Sequence, residues 1–433
     1  MSGFTRHPTR HRVRAFVLAT AASLLLASGG VTAGVAASAP LGNAGAVSHW
    51  TLIAQQTLLG DTTKRPQEAF LYLSFVTIAM YDAVTEIDGR YVPFMGHASP
   101  AAGSSDEAAA IAAAHRVLEY YSPYAQATLD GAYATSKLAI PDGAAKDAGL
   151  AYGTAVANDL IAARANDGRN APIFFTKTPA PGVWRPTPPA FLSMFVPWMS
   201  AVTPLVIRSG DQFDPGPPPP MASKRYATDF AEVKRMGRST GSDRTSDQTA
   251  TALFFSGNAQ VQYTVGLLDQ ASRRNLDIVD SARLFAAVHT SVADALISIW
   301  WAKVHYGFWR PITAINLADT DGNAATTPDT AWTPLLTTPP YPDYISGYSG
   351  VTGAVSRSLE LALGTDAIDL DLTSSAVAGA TRHYDTPGSL NDDVVNARIW
   401  LGIHFRFADT AGLKVGQHAA NWVLGHAFQP IGG

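Results

Sequence analysis

Apolar residues recur at three- and four-residue spacing through segment after segment of this chain, and they alternate almost nowhere. That spacing lines one face of an α-helix, whereas a half-buried strand needs alternation. Ahead of residue 170 it predicts helices over residues 48–59, 67–84, 106–121, 123–138 and 143–166, the last three rich in alanine. Beyond residue 222 it predicts helices over 224–236, 247–255, 258–275, 278–302, 350–363, 391–403 and 410–424, with 278–302 apolar almost throughout. Between the two groups lies 172–220, which ends in GPPPP and is too dense in proline for helix interiors, so it is an ordered crossing loop or a linker. The fold class that follows is all-α: helical bundles in two halves, 40–221 and 222–433, or one large bundle with a long crossover, rather than an α/β sheet.

Residues 1–39 stand apart. Arg6, Arg10, Arg12 and Arg14 form a basic head, residues 15–27 an apolar run, and a small-residue stretch follows. An apolar core too short to span a bilayer, in that order, predicts a secretory signal peptide and an exported protein without a membrane anchor after cleavage. The arginines are not adjacent, which points to the general export route. Removing that segment leaves 27 basic against 35 acidic residues, a net charge of −8. Such a chain has no electrostatic footprint for nucleic acid or anionic membranes. With no cysteine at all, disulfides, thiolate catalysis and cysteine-type metal sites are excluded, and a buried core has to carry the stability.

Three segments of the C-terminal half hold polar residues out of place in a bundle core. The first, K-V-H-Y-G-F-W-R-P, places Lys303 seven residues before Arg310, with Pro311 next. A helix through both would put the two cations on one face, two turns apart. The second, Y-P-D-Y-I-S-G-Y-S-G, sets Ser346, Gly347 and Tyr348 just ahead of a predicted helix. A hydroxyl and a backbone N–H at a helix N-terminus form an anion-binding nest. The third, A-R-I-W-L-G-I-H, has Arg398 and His404 six apart, about 120° on an ideal helix, so that they border one pocket from adjacent sides. Three cations, a hydroxyl, a glycine N–H and one imidazole are what a multiply charged tetrahedral oxyanion needs: charge-assisted donors for its oxygens and one apical nitrogen for its central atom.

In this order the three segments resemble the signature of vanadium-dependent haloperoxidases and the type 2 phosphatidic acid phosphatase superfamily. A-M-Y-D-A-V at 79–84, V-W-R-P-T-P-P at 183–189, D-R-T-S-D-Q-T at 243–249 and P-P-Y-P-D-Y at 339–344 are similar to the bacterial haloperoxidase-like branch. The resemblance implies an all-α fold with helical bundles around a vanadate cofactor, whose site phosphate can also occupy. By it Lys303, Arg310, Ser346, Gly347 and Arg398 hold the oxyanion and His404 is its apical ligand. Trp300 and Tyr341 match aromatic positions flanking the halide region.

One position departs from the pattern. The family's second motif reads Pro-Ser-Gly-His, where this chain has Ile345, Ser346, Gly347 and Tyr348. The missing histidine is expected to hydrogen-bond the apical oxygen in haloperoxidases and to act as the acid in phosphatases. A phenol with a reference pKa of about 10 cycles protons at neutral pH far less well than an imidazole at about 6.5. Among other histidines, His305 lies two residues past Lys303 and so about 200° round a helix from it. His383 lies in the loop before the third segment, within reach of the pocket; it and the loop carboxylates Asp343 and Asp385 are read as structural or solvent-facing.

Three functions stay open on this sequence. The first is a vanadate-dependent haloperoxidase-like oxidoreductase taking hydrogen peroxide and halide. The second is an acid phosphatase acting on a small phosphoester with His404 as nucleophile. The third is a repurposed oxyanion-binding homologue, which Tyr348 favours.

Overall fold

A computed structural model describes residues 45–432; the expected signal peptide, 1–39, lies outside them. The first half contributes α1 (Gly45–Gly60), α2 (Pro66–Asp88), α3 (Asp106–Tyr121), α4 (Gln126–Leu138) and α5 (Ala144–Ala163). The second contributes α6 (Lys224–Met236), α7 (Ser246–Phe254), α8 (Ala259–Arg273), α9 (Ile278–Tyr306), α10 (Pro311–Asn316), α11 (Gly347–Leu363), α12 (Pro387–Trp400) and α13 (Arg406–His426). Among the described residues the only sheet is an antiparallel hairpin of β1 (Leu370–Thr373) and β2 (Thr381–Tyr384), with Leu370 opposite Tyr384. The fold is all-α, as the periodicity predicts. The hairpin and the short α10 were not anticipated, because four-residue strands and a six-residue helix are too brief to establish a period.

The organising element is α9. The carboxylate of Asp277 caps its first turn, and Gly307, left-handed at φ 62°, stops it. It is buried along nearly its whole length and packs against α1 and α2 on the N-terminal side and against α11 and α13 on the other. Both α2 and α9 are long and apolar enough to cross a membrane, but 89% and 94% of their most apolar windows are buried inside the protein. They are core helices, consistent with the rule that a helix apolar on all sides is a buried one.

The proline-rich stretch is an ordered crossing segment laid over α9. Asp294, in the middle of α9, accepts the backbone N–H groups of Leu205, Val206 and Ile207 at 2.7, 2.8 and 3.0 Å. Further along, Trp184 N–H donates to Gly307 and Trp309 N–H to Gly182, so the crossing segment is bonded to the chain between α9 and α10.

The helices α11 and α13 cross closely because small residues meet there. A Cβ built on Gly416 would lie 2.0 Å from the Gly350 carbonyl oxygen, and one on Gly412 would lie 2.3 Å from that of Ser346. Backbone thus touches backbone, and α13 presses on the start of α11. Because neither backbone can yield, Gly416→Ala should destabilise the fold by about 1–3 kcal/mol, measured as a lowered urea midpoint. An unchanged midpoint would show that the two helices are free to separate.

Candidate oxyanion site

Lys303 sits in the last turn of α9, one turn before Gly307 ends it, and is fully buried. Its Nζ donates to the carbonyls of Pro342 at 2.6 Å and Asp343 at 3.2 Å. The single helix expected through Lys303 and Arg310 does not form. Gly307 breaks it, and Arg310 is the extended residue capping α10. The two cations converge because the chain turns back at that break. Arg310 is also fully buried, donating from Nε to Tyr341 O and from Nη1 to Ile403 O, each at 2.7 Å.

The third segment departs from an ideal helix as well. Arg398 lies in the last turn of α12, but the chain leaves the helix at Trp400 and turns at Gly402, φ 78°. His404 therefore approaches from a loop. Arg398 Nη1 donates to Phe255 O at 2.9 Å, and its guanidinium lies 4.6 Å from the centre of the Tyr348 ring.

His404 is fixed from two sides. Its Nδ1 lies 2.8 Å from Asp343 Oδ1, and its Nε2 lies 3.1 Å from Arg310 Nη1. Arg310 Nη1 also lies 3.4 Å from Nδ1, so it is Asp343, when ionised, that selects the tautomer with the proton on Nδ1 and a lone pair on Nε2. Burial, then the charges of Arg310, Lys303 and Arg398, hold the imidazole well below its ordinary pKa, so it stays neutral. Asp343, read from sequence as structural or solvent-facing, is instead a fully buried part of this site. Burial pushes its carboxyl well up, against the pull of Arg310 and Lys303.

Ser346 is the N-cap of α11, and Gly347 and Tyr348 are its first residues. The N–H groups of a helix's first turn have no acceptor within the helix, so those of Gly347 and Tyr348 are available to an anion. Tyr348 itself turns aside, its hydroxyl donating to Gln262 Oε1. Trp300 and Tyr341 form an aromatic wall with ring centres 5.4 Å apart, and Lys303 Nζ lies 5.0 Å from the Tyr341 ring. Trp300 is held there by its Nε1–H donating to Phe195 O at 3.1 Å.

Two histidines stand outside this cluster. His305 stacks on Trp301 at 4.6 Å. His383 lies on β2, exposed, between Asp371 and Asp385 at 2.9 and 3.0 Å, so it does not reach the pocket. Asp409 is a member that sequence reasoning missed. It is fully buried on α13 and accepts a hydrogen bond from Ser349 at 2.8 Å. Nothing in F-R-F-A-D marks it, since a lone acid on an amphipathic helix usually faces solvent.

The donor set fits an oxyanion. Among the described residues, Arg310 Nη2 and Arg398 Nε are buried with no protein acceptor, while Asp343 Oδ2 and Asp409 Oδ2 are buried with no donor. Unpaired buried polar atoms are costly, and a tetrahedral anion bearing a proton offers partners to both kinds.

Residues 283–433 match the family model of the VCPO second helical-bundle domain. Over that stretch the C-terminal bundle is similar to the second helical bundle of vanadium chloroperoxidases. Vanadium chloroperoxidase of Curvularia inaequalis is 26% identical over 182 residues, 31% of this chain and 29% of that protein, so the match spans under a third of its length. A solved bacterial vanadium-dependent iodoperoxidase superposes with a TM-score of 0.76 at 23% identity, covering 89% of this chain and 96% of that one. A holo-type bacterial vanadium-dependent chloroperoxidase does so at 0.67 and 16%, covering 83% and 91%. These likenesses establish the haloperoxidase fold over most of the chain.

If Asp343 sets the tautomer of His404, Asp343→Ala should weaken the binding of an oxyanion such as vanadate in this pocket by about 10–100-fold, the usual effect of losing an orienting partner. Vanadate titration followed by tryptophan fluorescence checks this, and an unchanged affinity would refute the assignment.

Proposed function

We propose that this chain is an exported, vanadate-dependent haloperoxidase-like oxidoreductase that uses hydrogen peroxide to oxidise halide, with turnover restricted by Tyr348. The observation that carries this reading is the buried trio Lys303, Arg310 and Arg398 around a neutral imidazole, with donor nitrogens left unpaired. Bound vanadate supplies a Lewis-acidic centre that activates peroxide toward halide. Lys303, Arg310 and Arg398 would hold and neutralise its oxygens, with the Ser346 hydroxyl and the Gly347 N–H alongside. His404 would bind it through Nε2, its ring oriented by Asp343. Trp300 and Tyr341 wall the halide region and keep water from the cations. Export rests on the basic head and short apolar run of residues 1–39.

Tyr348 differs from the family's histidine in two ways. Burial raises its phenol further above the usual value, and its proton is committed to Gln262. It therefore holds a proton without cycling it. The Asp343–His404 pair supports a second reading, a phosphomonoesterase of small phosphoesters, because a neutral Nε2 backed by a carboxylate is also a nucleophile's arrangement. A non-redox oxyanion binder is the third, and Tyr348 is the residue that favours it.

A bromide-plus-peroxide assay with and without vanadate separates these readings. Halogenation that requires vanadate supports the first; phosphoester hydrolysis inhibited by vanadate supports the second; vanadate binding with neither activity supports the third. Restoring a proton-cycling group by Tyr348→His should raise halogenation by as much as about 10²–10⁴-fold, and no gain would remove tyrosine as the restriction. His404→Ala should abolish turnover in either chemistry, and undiminished turnover would place the site elsewhere.

A further inference from the structure

A line of hydroxyls runs from the Ser346 nest to a buried carboxylate. Ser346 Oγ–H donates to Ser349 Oγ at 3.4 Å, and Ser349 Oγ–H donates to Asp409 Oδ1 at 2.8 Å. All three residues are fully buried, and Asp409 Oδ2 has no partner among the described residues. Each hydroxyl carries one proton, so the line has a direction. With Asp409 ionised, both hydroxyls point inward and Ser346 presents only lone pairs to the pocket. With Asp409 protonated, the line reverses. Asp409 then donates to Ser349, Ser349 to Ser346, and Ser346 turns its proton toward the pocket.

We propose that Asp409, through Ser349, sets whether Ser346 donates to or accepts from an oxyanion in this pocket, and so acts as the proton reservoir that Tyr348 cannot be. This rests on the oxyanion reading of the site. When a proton is delivered, it leaves the Asp409 carboxyl for the Ser349 oxygen. The Ser349 proton passes to the Ser346 oxygen, and the Ser346 proton passes to an oxygen of the anion. Asp409 ends as carboxylate, the anion ends one proton richer, and no other bond changes.

The surroundings suit that task. Asp409 faces Ser346 and Ser349 from α11, Arg398 from α12, Lys303 from α9, Arg310 and Asp343 from the adjoining loops, and Arg406 from its own helix. Arg406 is already tied to Glu232 at 2.7 and 2.8 Å, and His404 is held neutral. Burial pushes the Asp409 carboxyl up to about 7, against the opposing pull of the two serines, Arg398 and Arg406. A carboxyl with that value changes charge near neutrality, where a histidine otherwise would.

Asp409 is a positioning residue, and its signature is a pH profile. Inorganic sulfate is the probe, because its charge does not change between about pH 5.5 and 8.5, the span needed to bracket an ordinary near-neutral group. Calorimetric titration of the purified protein should show sulfate affinity falling as pH rises through about 7, by at most about tenfold per unit. Asp409→Asn places a permanent donor against Ser349, so it should retain binding with a flat profile. Ser349→Ala should also flatten the profile, because the line is cut. A wild-type slope surviving in Asp409→Asn would overturn the proposal. So would a slope lost in Asp409→Asn but kept in Ser349→Ala, since charge alone would then explain it. No sulfate binding by the unaltered protein at any pH would sink the oxyanion pocket itself, while binding with the expected slope but no halogenation would leave the relay standing and the haloperoxidase reading fallen.

Discussion

Three cations buried together at one end of a helical bundle are the demand that the rest of this structure answers. Removing Lys303, Arg310 and Arg398 from water is unfavourable by several kcal/mol per ion unless acceptors replace the lost solvation. The protein supplies carbonyls from Tyr341, Pro342, Asp343, Ile403 and Phe255, all at ends of helices or in the loops between them. Two buried carboxylates, Asp343 and Asp409, add partial compensation. Burial pushes both toward the neutral form, as it does Lys303, so the guanidinium groups of Arg310 and Arg398 carry the positive field left for a ligand. An anion that accepts from the two unpaired guanidinium nitrogens completes the arrangement.

Such a cluster has to be held by elements that do not give way. The apolar length of α9 fixes Lys303 and Trp300, and the glycine contacts between α11 and α13 fix Ser346 against Asp409. The proline-rich crossing segment, anchored on Asp294, lies over α9 and supplies the carbonyl of Phe195 that holds Trp300. Rigid packing at these points is what allows unpaired donors to persist, since a looser bundle would collapse them onto nearby carbonyls.

Tyr348 gains meaning from its neighbours. In the sequence it is a histidine lost from a motif. In the structure it is a phenol bonded to Gln262 beneath the Arg398 guanidinium, and so part of how that cation is positioned. The buried Asp409–Ser349–Ser346 line lies at the same helix N-terminus.

By itself the sequence determined the helical architecture, because three- and four-residue periodicity and the dense prolines report local geometry directly. The bounds of α3 and α6 follow from it to the residue. It also indicated the three segments of the site, since cations and an N-capping serine are visible out of place in apolar surroundings. Only the tertiary structure decided how those segments meet. Lys303 and Arg310 converge through the break at Gly307, and Arg398 and His404 through the turn at Gly402, neither along a continuous helix. Asp343 and Asp409 stayed hidden for a physical reason. A carboxylate's role depends on whether it is buried and on what lies across from it, and neither is a property of the residues beside it in the chain.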